Sequence, residues 1–252
     1  MNNKYNYVVF DFDGVVCDST NECMVTAWNA WECWNKRDGF RRSLNDFSQT
    51  EMDAFRPLRP YVRGADEYYI LMRVINQTEK LIKNQKDFDE MRLLWADQLA
   101  PFKAIFFKER DRLRSEDVNN WIKLHEIYDD VIKVMKELHA QGRLLIATLK
   151  DGKSVRLILN RQGIDISLEE MLDQSQISSK LEALDYFVAE KGINKEDICF
   201  IDDNVTHLIG PKNEDYKVFL SSWSHITSDH INIANKSKIP FININQINSL
   251  EL

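Results

Sequence analysis

The chain opens with a short apolar run that ends abruptly in acidic residues. Val8, Val9 and Phe10 are followed by Asp11 and, one residue later, by Asp13. A run this short and this rich in Val and Phe is typical of a buried strand rather than of a helix. The pattern therefore predicts a strand over residues 5–10 that ends where the carboxylates begin.

The pattern changes between about residue 21 and residue 125. Apolar residues recur there at helical spacing, as in "NECMVTAWNAWECW" and "DFDEMRLLWADQLAPFKAIFFKERDRL", and strand signals are few. We interpret Pro57, Pro60, Gly64 and Pro101 as breaks between helices. The sequence thus predicts an all-helical insertion directly after the first strand.

Strands and helices alternate after the insertion. The predicted helices are "DDVIKVMKELHAQG", "GKSVRLILNRQG" and "SSKLEALDYFVAEKG", and the predicted strands are "RLLIATL", "DICFIDD", "YKVFLSS" and "IPFININ". Such alternation indicates an α/β fold with a parallel sheet and helices on both of its faces.

Composition narrows the class of protein. The 252 residues are 44% hydrophobic and 29% charged, as in soluble globular proteins, and the net charge of −7 argues against general nucleic-acid binding. No run is long and apolar enough to span a bilayer, and the first residues lack a secretory signature, so we expect a cytoplasmic protein. The four cysteines form no CxxC pair, which favours free thiols in a reducing compartment.

Polar side chains follow three of the predicted strands. The first strand ends at Asp11 and Asp13, "LLIA" ends at Thr148, and "ICFI" ends at Asp202 and Asp203. Ligands of open parallel sheets collect at the carboxyl ends of the strands, so these groups are expected to converge there. Four carboxylates in one region require protonation, a divalent cation or a nearby lysine. Oxygen ligands favour Mg²⁺, which indicates a magnesium-dependent phosphoryl-transfer site.

These residues resemble the motifs of a known enzyme family. "DFDGVVCDS", "IATLKD", Lys180 in "SSKLEAL" and "FIDDN" are similar in order and spacing to the four signature motifs of the haloacid dehalogenase superfamily of hydrolases. The resemblance covers residues 1–20 and 126–221. It implies a Rossmann-like core domain of residues 1–20 and 126–252, with residues 21–125 inserted as a helical cap domain.

The resemblance implies a role for each motif residue. Asp11 is the nucleophile that forms an aspartyl-phosphate, and Asp13 protonates the leaving group and then activates water. Thr148 binds the phosphoryl oxygens, and Lys180 steadies nucleophile and phosphate. Gly14, which tolerates a positive φ, allows a sharp turn that brings backbone amides towards the phosphate.

The same resemblance implies the magnesium ligands. They are Asp11, the backbone carbonyl of Asp13 and an acid of the "DD" pair, with Asp203 ranked ahead of Asp202. His207 lies where many relatives carry a further acid, and we interpret it as a supporting or structural residue rather than as a ligand.

An arginine-rich stretch stands out within the predicted cap. "RPLRPYVRGADEYY" contains Arg59 and Arg63, which could bind a second phosphate, a carboxylate or a sugar hydroxyl of the substrate. A solvated loop is the alternative interpretation of this stretch.

Together these features predict a magnesium-dependent phosphatase that hydrolyses a small phosphorylated metabolite. Because Asp13 is an acid, they favour phosphate esters over dehalogenation or phosphonate cleavage. Two alternatives stay open: a phosphomutase acting on a sugar phosphate with the same core chemistry, and a non-catalytic binding protein. Neither nucleic acid nor a membrane is expected as a partner, and we expect a monomer.

Overall fold

A computed structural model of the chain describes residues 6–77 and 81–248. The chain divides into two compact units, residues 1–18 together with 127–252, and residues 19–126. We call them the sheet unit and the helical unit. The domain boundaries predicted from the sequence fall after residues 20 and 125.

The sheet unit is built on six parallel strands, which are β1 (Tyr7–Phe10), β4 (Leu144–Ala147), β5 (Met171–Leu172), β6 (Ile198–Asp202), β7 (Lys217–Ser221) and β8 (Phe241–Ile242). Their order in the sheet is β5-β4-β1-β6-β7-β8. Two further short strands, β2 (Cys17–Asp18) and β3 (Glu126–Ile127), lie where the chain passes between the two units.

Helices alternate with the strands of this sheet. They are α7 (Asp129–Ala140), α8 (Gly152–Arg161), α9 (Lys180–Lys191), α10 (Val205–Asn213), α11 (Ser228–Lys236) and α12 (Ile244–Asn248), with a 3₁₀ turn at Lys195–Asp197. Helix α9 begins where the Ser179 hydroxyl accepts a hydrogen bond from the amide of Glu182, and it ends at Gly192 with φ of 61°. Local capping thus sets both ends of the helix.

Both faces of the sheet are buried. Side chains on one face, including Val9, Leu145 and Phe200, pack in one core with Leu184 and Phe187 of α9. The residues that alternate with them along the strands are also fully buried, namely Val8, Phe10, Leu144, Ile146, Cys199 and Ile201. The predicted fold class, a parallel α/β sheet flanked by helices, is confirmed.

The strand prediction was wrong in two places. "IPFININ" was predicted as one strand, but only Phe241–Ile242 is extended, and helix α12 begins at Ile244. The edge strand Met171–Leu172 was missed because two residues are too few to show an alternating pattern. The first residue of the predicted strand 5–10 lies outside the described residues.

The helical unit contains six helices within its described residues. They are α1 (Thr20–Trp34), α2 (Gln49–Phe55), α3 (Tyr68–Gln77), α4 (Gln85–Leu94), α5 (Ala96–Glu116) and α6 (Val118–Lys123), with 3₁₀ turns at Leu44–Asp46, Arg56–Tyr61 and Ala65–Glu67. Across residues 6–77 and 81–248, none of the helices has the length and apolarity needed to span a membrane.

Pro101 does not separate two helices, which corrects the sequence prediction. It lies inside α5, near the helix start, and the break falls at Trp95 between α4 and α5. Only one backbone hydrogen bond is lost when a proline stands this early in a long helix, so the helix continues through it. Pro57, Pro60 and Gly64 do fall between α2 and α3, as predicted.

A buried ion pair organises the interior of the helical unit. The Nε and Nη2 atoms of Arg110, on α5, each lie 2.9 Å from a carboxylate oxygen of Glu22, on α1, and both residues are buried. The hydroxyl of Thr26 and the indole N–H of Trp121 also donate to Glu22 Oε1, at 2.7 and 3.3 Å. The Glu22 carboxylate is therefore compensated in both charge and hydrogen bonding.

We expect Arg110→Met to lower the free energy of unfolding by about 3–5 kcal/mol, because it leaves the Glu22 carboxylate buried without its counter-charge. Urea unfolding followed by tryptophan fluorescence and circular dichroism measures the change. The exposed pair between Arg42 and Glu116 supplies the control, since Arg42→Met should cost less than about 1 kcal/mol. Similar losses in the two variants would contradict this assignment.

Candidate active site

The register of the sheet places two acids side by side. Phe10 of β1 is paired with Ile201 of β6, so the residues that follow them, Asp11 and Asp202, lie at the same level. The amide of Asp11 donates to the carbonyl of Ile201 at 2.9 Å. The chain adds β4 and β5 on one side of β1 and the remaining strands on the other, so this level lies at the topological switch point of the sheet.

Lys180 lies between these two carboxylates. Its Nζ is 2.6 Å from Asp11 Oδ1 and 3.4 Å from Asp202 Oδ2, and it donates to the carbonyl of Ala147 at 2.7 Å. All three charged side chains are buried. Lys180 is the first residue of α9, so the capped start of that helix fixes where its side chain emerges. The structure thus brings together three of the predicted site residues.

Burial and the nearby charges shift the pKa values of these groups. Desolvation, reinforced by the charge of Asp202, raises the pKa of Asp11 to about 6, although Lys180 and His207 act in the opposite direction. Burial would also raise the pKa of Asp202, but His207 and Lys180 hold it below its usual value. Burial would lower the pKa of Lys180, yet the two carboxylates raise it, so Lys180 remains an ammonium ion. Near neutral pH the cluster therefore holds two carboxylates and one ammonium.

The turn after β1 is built around Gly14. Its φ is +84°, and its amide donates to the carbonyl of Cys17 at 2.7 Å. A Cβ atom at this position would lie 2.0 Å from Oδ2 of Asp203, so the carboxylate packs directly against the glycine backbone. The hydroxyl of Ser224 donates to the Gly14 carbonyl. Glycine is needed here for its conformation and also for the room it leaves to Asp203.

Asp13, on the same turn, pairs with a lysine that the sequence analysis had given no role. The Nζ of Lys150 lies 3.0 Å from Asp13 Oδ1, and the Lys150 side chain is fully buried while that of Asp13 is 17% exposed. The amide of Lys150 donates to the hydroxyl of Thr148 at 3.1 Å, which links two of the motif residues. The sequence feature that could have identified Lys150 is its position, two residues after the strand-end threonine Thr148.

His207 completes the cluster around Asp202. Its Nδ1 lies 3.1 Å from Asp202 Oδ2, and the amide of Asn204 donates to the other carboxylate oxygen at 2.8 Å. Asp11, Asp202 and His207 each place a possible metal-ligand atom within 4.8 Å of the others. Asp203, ranked first from the sequence, is not one of these three, and its ranking stays a prediction.

The two arginines that the sequence predicts to bind substrate, Arg59 and Arg63, have partners within the helical unit. The Nη2 atom of Arg63 lies 2.7 Å from Glu67 and 2.6 Å from Asp89, and Arg59 lies over the ring of Tyr68. Burial would lower the pKa of Arg63, but its two carboxylate partners raise it. Substrate binding by Arg59 and Arg63 stays a prediction, and for Arg63 it would require sharing the guanidinium with these acids.

Comparison with known proteins identifies the family. Residues 5–214 match the model of the haloacid dehalogenase-like hydrolases, which is most of the chain. The chain therefore belongs to the haloacid dehalogenase-like hydrolases. The predicted family, and the prediction of a hydrolase, are confirmed.

Solved structures share the fold over nearly their whole length. A predicted phosphoglycolate phosphatase from Haemophilus somnus has a TM-score of 0.62 at 17% identity, with 99% of each chain covered. A predicted phosphatase from Clostridium acetobutylicum has a TM-score of 0.63 at 13% identity, covering 98% of this chain and 99% of its own. A protein named as a beta-phosphoglucomutase from Thermotoga maritima has a TM-score of 0.58 at 14% identity, with 98% of each chain covered. No curated protein matches the sequence significantly.

The close packing at Gly14 leads to a prediction about stability. Gly14→Ala should lose about 1–2 kcal/mol from the positive φ and a further 1–3 kcal/mol, roughly, from displacing Asp203. Gly142→Ala is the control, because its φ is +67° but, apart from its chain neighbours, no heavy atom of the described residues lies within 4 Å of the added Cβ. Urea unfolding of both variants measures the difference, and equal losses would contradict the packing of Asp203 against Gly14.

Proposed function

We propose that the protein is a magnesium-dependent phosphatase that hydrolyses a small phosphorylated metabolite through an aspartyl-phosphate intermediate. The observation that carries the proposal is the fixed position of the Asp11 carboxylate. It is buried at the end of β1 with Lys180 Nζ 2.6 Å away, and a second acid, Asp13, follows on the same turn. A nucleophile and a separate proton donor on one rigid turn suit a two-step displacement at phosphorus.

Asp11 is the proposed nucleophile. The carboxylate oxygen that faces Lys180 also accepts a hydrogen bond from the amide of Phe12 at 2.7 Å. These contacts hold the carboxyl group in one orientation, so attack on phosphorus falls to the other oxygen. The Lys180 ammonium also offsets the charge of an incoming phosphate.

Asp13 is the proposed acid and base. In its protonated form it gives its proton to the leaving oxygen when the phosphoryl group moves to Asp11, and the resulting carboxylate takes a proton back from the water that hydrolyses the intermediate. Lys150 holds the Asp13 carboxylate through the 3.0 Å ion pair. We assign Lys150 as a positioning residue, since it acts through Asp13.

Thr148 and the turn at Gly14 are the proposed phosphate contacts. The Thr148 hydroxyl accepts a hydrogen bond from the amide of Lys150, which directs its own O–H elsewhere, towards a bound phosphoryl oxygen. The positive φ of Gly14 turns the backbone sharply, so amides of this turn could approach the same phosphate if those of Phe12 and Gly14 leave their present acceptors, Asp11 Oδ1 and the Cys17 carbonyl.

The donor atoms of the site fit a divalent cation. Asp11 and Asp202 offer buried carboxylate oxygens, and the Asp13 carbonyl and Asp203 are the further ligands that we propose from the motifs. Mg²⁺ at such a site would neutralise charge on the phosphate and on the carboxylates. The helical unit is the proposed cap, which would exclude water and select the substrate.

Localisation and partners follow from the same proposal. We propose a cytoplasmic location, because the four cysteines of the sequence form no CxxC pair. The proposed partner is a phosphorylated small molecule, and a monomer would suffice for this chemistry.

Asp11→Asn should reduce phosphate release by at least about 1,000-fold, because it removes the nucleophile. The assay is magnesium-dependent phosphate release from a panel of phosphate esters that includes p-nitrophenyl phosphate and sugar phosphates. The control is Asp130→Asn on α7, whose side chain is 46% exposed, and this variant should keep full activity. Chelation with EDTA should abolish turnover, and Mg²⁺ should restore it.

Other outcomes of this panel would favour the alternatives. Isomerisation of a sugar phosphate without net phosphate release would indicate a phosphomutase, the second candidate, which would use Asp11 and Asp13 in the same way. Binding of phosphate esters with no turnover would indicate a non-catalytic protein and contradict the proposal.

Lys150→Met should lower kcat by about 100-fold and change KM less than about threefold, because the acid–base group loses its position while the phosphate contacts remain. Lys150→Arg should recover part of kcat, since it keeps the positive charge. The control is Lys153→Met, an exposed position on α8. A rise in KM with unchanged kcat would instead place Lys150 on the substrate.

A further inference from the structure

We propose that a ring nitrogen of His207 is a ligand of the metal ion, so that the site binds transition-metal ions such as Co²⁺ much more tightly than Mg²⁺. The inference deepens the proposed function, because it concerns the metal of the same site. It also revises the interpretation of His207 that the sequence suggested.

The first argument is distance. Possible ligand atoms of Asp11, Asp202 and His207 all lie within 4.8 Å of one another. Metal–ligand bonds of about 2.1 Å place adjacent ligands of one ion about 3 Å apart and opposite ligands about 4.2 Å apart. The three donors therefore lie close enough for one ion to draw them together by side-chain rotation.

The second argument is the spacing between the imidazole and the Asp202 carboxylate. The His207 side chain is only 13% exposed, and its Nδ1 lies 3.1 Å from Asp202 Oδ2. Two adjacent ligands of an ion with bonds of about 2.1 Å lie about 3 Å apart, so this nitrogen and the Asp202 carboxylate are already spaced to hold one ion.

The third argument is how the ring is held. His207 stands in the first turn of α10, whose start is fixed by the Asn204 side chain accepting a hydrogen bond from the amide of Thr206. The capped start of α10 therefore fixes the position from which the His207 ring reaches Asp202.

The fourth argument is charge and donor type. Asp11 and Asp202 are already opposed by the Lys180 ammonium, and an imidazole ligand adds a donor without adding a third negative charge. Imidazole nitrogen favours later transition metals, whereas carboxylate and water oxygens suit Mg²⁺. One nitrogen donor thus shifts the selectivity of the site.

Metal binding to the purified, metal-free chain tests this without any activity assay. Isothermal titration with Co²⁺ and with Mg²⁺ gives the two dissociation constants. His207→Asn should weaken Co²⁺ binding by at least about tenfold and Mg²⁺ binding by less than about threefold. His207→Asp, which supplies oxygen instead of nitrogen, should reduce the preference for Co²⁺. The control, His225→Asn, changes a histidine that is 74% exposed and should leave both constants unchanged.

A spectroscopic measurement identifies the donor directly. Pulsed electron paramagnetic resonance of bound Mn²⁺ should show coupling to a ¹⁴N nucleus in the wild-type chain and in His225→Asn, and none in His207→Asn. Unchanged Co²⁺ affinity in His207→Asn, or no nitrogen coupling in the wild type, would overturn the inference. These results are independent of phosphatase activity, so failure of the proposed reaction would be recognised separately.

Discussion

The Lys180 ammonium between Asp11 and Asp202 is the interaction on which the rest of the site depends. Parallel pairing of β1 with β6 brings both carboxylates to one level at the edge of the sheet. Two buried carboxylates on neighbouring strands repel each other, and burial by itself would favour their protonation. A lysine within hydrogen-bonding distance of both lets them remain ionised in the sheet interior.

The position of the Lys180 ammonium depends on the neighbouring strands and helix. Lys180 can reach the carboxylates because α9 begins at that residue, and the helix begins there because Ser179 caps it. The ammonium also binds the carbonyl of Ala147 at the end of β4. Three neighbouring strands and one helix are therefore tied together at the point where the chemistry is proposed.

A second lysine gives the two acids of the first motif different surroundings. Asp11 is paired with Lys180, whereas Asp13 is paired with Lys150. Asp11 is almost fully enclosed, but the side chain of Asp13 keeps some exposure. A carboxylate held rigidly suits attack on phosphorus, and one that reaches solvent suits proton exchange with water. In the helical unit a buried carboxylate is likewise balanced by a buried cation. The ion pair between Glu22 and Arg110 stabilises the interior of that unit.

The sequence by itself determined the elements and the motifs. Apolar periodicity, helix caps and glycine stops are local, so they predicted the first strand, the helical insertion and the helices after it. The acids that follow the strands led us to predict that Asp11 and Asp202 lie close together, because parallel strands bring their carboxyl ends to one edge of the sheet. Short strands such as Met171–Leu172 carry too little pattern to be recognised.

Only the tertiary structure decided which side chains pair. The contact of Lys150 with Asp13 joins residues 137 positions apart, and no local pattern specifies it. Asp202 faces Lys180 and His207, while Asp203 packs against Gly14. Asp202 is the last residue of β6 and Asp203 lies just beyond the strand, so the packing of neighbouring elements, and not the sequence motif, assigns each acid its surroundings.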